Sequence, residues 1–311
     1  MINLRARLMN RLWADAESAY RTKILDALPP ASSATRLLDL GCDDGCWTES
    51  LRQRVGLPPE RVSGLEIVAE RAEHARSRGF DVRVADLERT WPFEDHSFDV
   101  VHSNQVIEHV VDIDHFVDET RRVLKPDGVA IVCTENLASW HNVAALTLGY
   151  QPFSLTNISR SGPLGNPLAL HAGENGSDLP SWNHVHVLSL AGLRDLFAGH
   201  DFAIRRTFGA GYHPAPGRVG AWLAEHDPRH AHFIGVVAER RVDKLLTIAA
   251  ALYVWLPFDV IPDFIPFVGH FDDAIVVSLV LASVRQRWVE KFAAFVRRMR
   301  GGSRLEGTSA A

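Results

Sequence analysis

Short apolar runs alternate with stretches of helical period along most of the 311-residue chain. Leu37, Leu38 and Leu40 flank one carboxylate, Asp39, and a run this short and dense reads as a strand buried on both faces. Arg61–Ile67, Asp81–Ala85, Phe98–Ser103 and Val129–Thr134 repeat the pattern. Between the first two runs, Thr48, Glu49 and Leu51 open an amphipathic helix, and a charged helix over 69–78 stops at Gly79, a helix-ending signal. Farther on, Ser189 caps a helix over 190–198, followed by a strand at 202–208, a helix at 218–226 and a seventh strand at 233–238. Strands alternating with helices predict an α/β fold, a doubly wound sheet with helices on both faces. Ahead of it, Leu4, Leu8, Leu12, Ile24, Leu25 and Leu28 recur at helical spacing until Pro29-Pro30. That first segment is basic and amphipathic and lacks the apolar core of a signal peptide.

The chemistry concentrates at Arg36–Leu51, RLLDLGCDDGCWTESL. A strand, a glycine turn and a helix start in that order place a ligand at the strand's carboxyl end, beside the helix N-terminus. The turn reads Asp39-x-Gly41-x-Asp43-x-Gly45, without the G-x-G-x-x-G of a dinucleotide site. Glu66 ends the next strand about 20 residues later, where a carboxylate can accept two hydrogen bonds from a vicinal diol. The stretch resembles motif I of the class I S-adenosylmethionine-dependent methyltransferases, D-x-G-x-G-x-G, with Asp43 where the middle glycine usually stands. The likeness continues through Asp86-Leu87 after the third strand and WPFEDHSFDVVHSNQVIEHVVD (91–112), and spans 36–134 in all. It implies a Rossmann-like seven-stranded fold and S-adenosylmethionine as cofactor, leaving S-adenosylhomocysteine as product. By the same likeness Asp39, Gly41, Asp43, Gly45, Glu66, Ile67, Asp86, Leu87 and Asn104 bind the cofactor, and Ser103, Asn104 and Gln105 face the reactive methyl. In related methyltransferases an N-terminal helix often caps the cofactor pocket. Trp13 and Tyr20 suit that role, or plain cover for a sheet edge.

Methyl transfer needs alignment, desolvation and a base for the acceptor's proton. His109 completes the Glu108-His109 pair typical of the family after strand four, and His184 matches a histidine that recurs just before the Ser-capped helix, so both are catalytic candidates. His141, His171, His186 and Glu135 read more simply as structural. His184 and His186 would share one face of an extended piece and could pair on a metal, but no further acids or cysteines stand at ligand-like spacing, so no metal is expected. Glu135–Ser189 is too long for a plain connection and reads as an acceptor lid. Together these features imply methyl transfer to a small molecule, to oxygen of a glycan, lipid precursor or secondary metabolite. A catalytically silent cofactor-binding or scaffold protein is the other reading.

A net charge of −5 gives no overall footprint for nucleic acid. The three cysteines (Cys42, Cys46, Cys133) fit neither zinc spacing nor a disulfide framework, which predicts a reduced, cytoplasmic setting. Beyond Arg240 the chain carries uncharged runs at 245–258 and 274–284, each shorter than the ~20 residues of a membrane span. Between them PFDVIPDFIPFVGHFDD resembles the signature of the domain-of-unknown-function 1232 family, which implies a helical hairpin over 245–287. Asp259, Asp263, Asp272 and Asp273 suit helix starts rather than a cation site. Arg285, Arg287, Lys291, Arg297, Arg298, Arg300 and Arg304, interleaved with Trp288, Phe292, Phe295 and Val296, form a basic amphipathic pattern. That segment would lie on an anionic membrane surface or pack on the hairpin. The expected organisation is an N-terminal cap helix (1–30), a methyltransferase domain (31–240), a small all-α appendage (241–300) and a disordered end (301–311).

Overall fold

The computed structural model describes residues 2–159, 164–169 and 183–241. The chain divides between Val242 and Asp243, and the first unit holds every element below. The expectations for 241–311, apart from Arg241, and for His171 lie outside the described residues.

Seven strands form one sheet in the order β3-β2-β1-β4-β5-β7-β6. They are β1 (Leu37–Leu40), β2 (Val62–Glu66), β3 (Asp81–Val84), β4 (Phe98–Asn104), β5 (Leu124–Glu135), β6 (Phe202–Ala210) and β7 (Phe233–Arg240). The first five are parallel, and β7 runs antiparallel between β5 and β6. The helices are α1 (Ile2–Ala27), α2 (Cys46–Val55), α3 (Ala69–Ser77), α4 (Ile113–Val123), α5 (Trp140–Thr147), α6 (Leu190–Gly199) and α7 (Gly217–His226). The sheet reverses its order at β1 and β4, so the crevice outside their carboxyl ends is where such folds bind ligands.

Alternation along the strands sorts the core into two layers. Leu38, Leu40, Val101 and Val132 pack with Phe116 of α4 and Phe197 of α6. Leu37, Val100 and Cys133 point the other way, toward Ile24 of α1, Leu51 of α2 and Ala72 of α3. In α1 the buried residues Leu12, Ala16, Tyr20 and Ile24 recur every fourth position, one stripe of a helix laid on β5, β6 and β7.

Strand β5 begins at Leu124, ahead of the expected Val129. Leu124 pairs with Phe98 before the register shifts, and Asp127 takes φ 61° inside that irregularity, so residues 125–128 form a bulge within the strand. Ser189 caps α6 as expected, its side chain accepting the Gly192 N–H. Among the described residues no helix is long and apolar enough to cross a membrane. Cys42 and Cys133 are buried, Cys46 is exposed, and all three are free thiols.

Candidate active site

The glycine turn joins β1 to α2 through three left-handed residues. Gly41 has φ 63°, Asp43 φ 50° and Gly45 φ 79°. A Cβ on Gly41 would stand 2.6 Å from Val106 Cγ2, so backbone angle and space both exclude a side chain there. Asp43 keeps the glycine-like conformation because a short polar side chain tolerates it. Its carboxylate turns outward to Arg71 at 2.8 Å, while its N–H donates to Glu66 Oε2 at 3.0 Å.

Glu66 is buried at the end of β2, and its second oxygen accepts the Val68 N–H at 2.9 Å. Two backbone donors leave lone pairs on both oxygens, enough for a diol. Next to it Ile67 is 49% exposed, an apolar face at a strand end that a planar ring can cover. Asp86 follows β3 and accepts the Glu88 N–H at 3.0 Å, which fixes its carboxylate in a local turn. Leu87 packs partly on the core beside it.

Asp39 and His102 are register partners on β1 and β4, so their side chains emerge on one face. Both are buried; His102 Nδ1 donates to Asp39 Oδ1 at 2.7 Å and Thr48 Oγ1 donates to Asp39 Oδ2 at 2.5 Å. Trp47 Nε1 approaches His102 Nε2 at 3.4 Å, which assigns the ring proton to Nδ1. Asp39 thereby ties the first turn of α2 to two central strands, and its place is beneath the glycine turn rather than in the crevice.

At the carboxyl end of β4, polar atoms stand buried without partners among the described residues: Ser103 Oγ, Asn104 Oδ1, Gln105 Nε2 and Glu108 Oε1. Buried polar groups of this kind are normally satisfied, and four within six residues mark a surface built for a ligand. Gln105 adds a left-handed backbone at φ 56°. Tyr20 of α1 lies beside the Asn104 side chain, and its hydroxyl pKa is raised by burial. The N-terminal helix therefore covers β5–β7 and also reaches the ligand crevice.

His109 closes a 3-10 turn (Ile107–His109) after β4, and its ring meets that of His184 at 4.9 Å, edge to face. His109 Nδ1 donates to the Asn183 carbonyl at 3.2 Å and His184 Nδ1 to the Ser154 carbonyl at 2.6 Å. Each ring thus presents Nε2 as its acceptor. Glu108 is fully buried beside them and accepts from Thr134 Oγ1 at 2.8 Å. Burial pushes its carboxyl up to about 7, against the opposing pull of His184. Burial, then His184, holds His109 down at about 4. Glu135 Oε2 lies 3.9 Å from His184 Nδ1. One ligand atom from each of Glu108, His109 and His184 falls within 4.8 Å of the others, so the group could also hold a cation.

The residues read from the sequence thus gather along the carboxyl ends of β1, β2, β3 and β4, with Asp39 set beneath them. His186 lies apart, bonded to the Val111 carbonyl at 2.9 Å. Sequence reasoning missed His102 and the ionisation of Glu108. A histidine in the middle of an apolar strand, two residues before Asn104, was the available signal for the first. For the second there was none, since burial is a long-range outcome.

Residues 38–132 match a family described as "Methyltransferase domain". Residues 243–279 match DUF1232, a "Protein of unknown function" family. A Mycolicibacterium smegmatis protein named "Probable S-adenosylmethionine-dependent methyltransferase" is 30% identical over 67% of this chain and 63% of its own. The ubiquinone biosynthesis O-methyltransferase of Caulobacter vibrioides is 30% identical over 58% of this chain and 65% of its own. The chain therefore spans less than two thirds of either relative. In fold it is similar to a chain from a complex between the Haloferax volcanii Trm112 methyltransferase activator and a methyltransferase. That match has TM-score 0.50 and 17% identity, covering 76% of this chain and 93% of the other. The site fits the cofactor of this family: a glycine turn without room for side chains, a carboxylate with lone pairs to spare, and unpartnered polar atoms one strand away. Residues 38–132 are a methyltransferase domain of the class I, S-adenosylmethionine-dependent family, carried in one chain with a DUF1232 region at 243–279.

Proposed function

We propose that the chain methylates a hydroxyl oxygen on a small molecule, a glycan, a lipid precursor or a secondary metabolite. The carrying observation is the set of unpartnered atoms from Ser103 to Glu108 beside the His109–His184 ring pair. The ubiquinone O-methyltransferase relative supports oxygen as the nucleophile. The bound cofactor supplies a methyl group activated on a sulfonium sulfur.

On this reading, Gly41, Asp43, Gly45, Glu66, Ile67, Asp86, Leu87 and Asn104 hold the cofactor, and Asp39 holds the turn from beneath. His184 takes the acceptor's proton at Nε2, its other nitrogen fixed on the Ser154 carbonyl. The ionised Glu108 carboxylate stabilises the imidazolium that forms, as its coupling to His184 requires. His109, neutral down to about pH 4, is the poorer proton acceptor and serves as an orienting wall. Residues 135–189 act as the acceptor lid, because Glu135, Ser154 and His184 all belong to that segment and border the crevice. Residues 241–300 serve placement rather than chemistry, the basic positions from Arg285 to Arg300 meeting anionic lipid. Truncation after Arg240 should then abolish co-sedimentation with anionic vesicles at low salt and leave cofactor binding intact.

Incubating the full chain with isotope-labelled S-adenosylmethionine and fractionated cell extract tests the assignment. Label in small molecules supports it. Label confined to protein or nucleic acid contradicts the acceptor class, and cofactor binding with no label in any fraction favours the silent, scaffold reading.

A further inference from the structure

A second group of histidines lies away from the ring pair just described. His141 stands in the first turn of α5, His213 follows β6, and His232 immediately precedes β7. Three segments that are distant in sequence bring their rings together beside the carboxyl end of β5. Ring centroids are 4.5 Å apart for His141–His232, 4.3 Å for His213–His232 and 5.3 Å for His141–His213. One nitrogen from each ring lies within 4.8 Å of the other two.

The contacts between these rings are unusual for a plain packing cluster. His213 Nδ1 and His232 Nδ1 face each other at 3.0 Å. Two nitrogens at that distance cannot both carry protons: either one donates to the other, or both lone pairs meet a common cation. A donor–acceptor pair has no use for a third imidazole, yet His141 joins them with Nδ1 buried and unpartnered among the described residues. Its Nε2 has only a long contact to Ser139 Oγ at 3.5 Å. In a tetrahedral zinc site with bonds of about 2.0–2.1 Å, neighbouring ligand nitrogens stand about 3.3 Å apart. The 3.0 Å pair is close to that spacing already, and the third nitrogen, within 4.8 Å of both, has to draw in toward them.

From this geometry we propose that His141, His213 and His232 bind one divalent transition-metal ion, zinc by preference, with three imidazoles and a fourth position open. Neutral imidazoles are the ligating form. His213 also lies near the Leu12 carbonyl and the Glu135 carboxylate. The nearby Glu135 charge offsets part of the ion's own. Three nitrogens without sulfur suit zinc or another borderline cation, and exclude calcium and magnesium, which take oxygen. The ion would clasp the first helix of the lid segment to the far edge of the sheet. The Glu108–His109–His184 group is the poorer host, because ligation there must first displace the proton that Glu108 holds up to about pH 7. The spacing of histidines along the chain hid this site, since its three members come together only through the antiparallel end of the sheet.

The test uses tag-free full-length protein stripped by chelator and titrated with zinc chloride by calorimetry. The expected result is one equivalent bound by the wild type and by His109→Ala, with affinity at least about 100-fold weaker in His141→Ala and in His213→Ala. Retained S-adenosylhomocysteine binding and circular dichroism show that the variants are folded. X-ray absorption of the zinc-loaded wild type gives a readout independent of variants: three imidazoles and one light atom are expected. No zinc bound, a carboxylate-rich or sulfur-containing shell, or unchanged affinity in folded His141→Ala would overturn the site and leave a neutral hydrogen-bonded histidine cluster. Cofactor binding is unaffected by any of these outcomes, so the methyltransferase reading stands or falls separately.

Discussion

The backbone N–H of Asp43 donates to Glu66 Oε2 at 3.0 Å, so the carboxylate proposed to bind the cofactor also holds the shape of the glycine turn. Replacing Glu66 should therefore do more than delete one ligand contact. Glu66→Ala removes the acceptor for the Asp43 and Val68 amides together with the diol acceptor. Cofactor affinity is expected to fall by about 1.5–3 kcal/mol, or roughly 10–150-fold. Glu66→Gln, which keeps one carbonyl acceptor, should fall between. Calorimetric titration with S-adenosylhomocysteine reads both, and equal affinities for wild type and Glu66→Ala would refute the assignment.

Gly41→Ala strikes the turn from another side. The new Cβ would sit 2.6 Å from Val106 Cγ2 on a backbone at φ 63°. Left-handed strain of about 1–2 kcal/mol and overpacking of about 1–3 kcal/mol act together. The variant should lose stability in urea unfolding, and cofactor binding should weaken as Val106 is displaced. Gly149, also left-handed but with nothing within 4 Å of its Cβ position, is the control in which strain acts alone.

Much of this was legible from short-range pattern. Strand runs such as Leu37–Leu40 and the Ser189 cap are local features, and the structure places them where alternation and capping chemistry put them. The bulge at the start of β5 was not legible, because Lys125–Gly128 has turn composition and only pairing with β4 makes it strand. The position of Asp39 beneath the turn was hidden for the same reason: its direction depends on His102, sixty-three residues away on a neighbouring strand. The residues proposed to hold the cofactor could be picked out in the sequence because they stand at or just after strand ends. The histidine groups were not, since they are assembled across segments.

The Asp39–Thr48–His102 group should behave as one buried network. His102→Ala leaves Asp39 Oδ1 without its donor, and Thr48→Val leaves Oδ2 without its own. Each is expected to cost about 1–3 kcal/mol in urea unfolding. Because both act on one carboxylate, the double variant should depart from additivity.

Glu108 gives the activity a predictable pH dependence. Burial raises its carboxyl from 4.5 to about 7, so it is protonated below that point and charged above it. The charged form supports proton uptake by His184, and kcat/KM should therefore fall about tenfold per pH unit on the acid side of 7. Glu108→Gln should remove that limb and lower the plateau. Stability runs the opposite way for this group. An unfolded carboxyl loses its proton near 4.5, whereas the folded one keeps it to about 7. The Glu108 contribution to stability thus declines as pH rises between those values, which urea midpoints of wild type against Glu108→Gln will read.

The account rests most heavily on one cofactor held at the turn between β1 and α2. Titrating S-adenosylhomocysteine into the full chain by calorimetry, beside the Gly41→Ala variant, tests this directly. One equivalent should bind the wild type, with affinity sharply reduced in a folded Gly41→Ala protein. No heat of binding in the wild type, or identical binding in the two proteins, would contradict it.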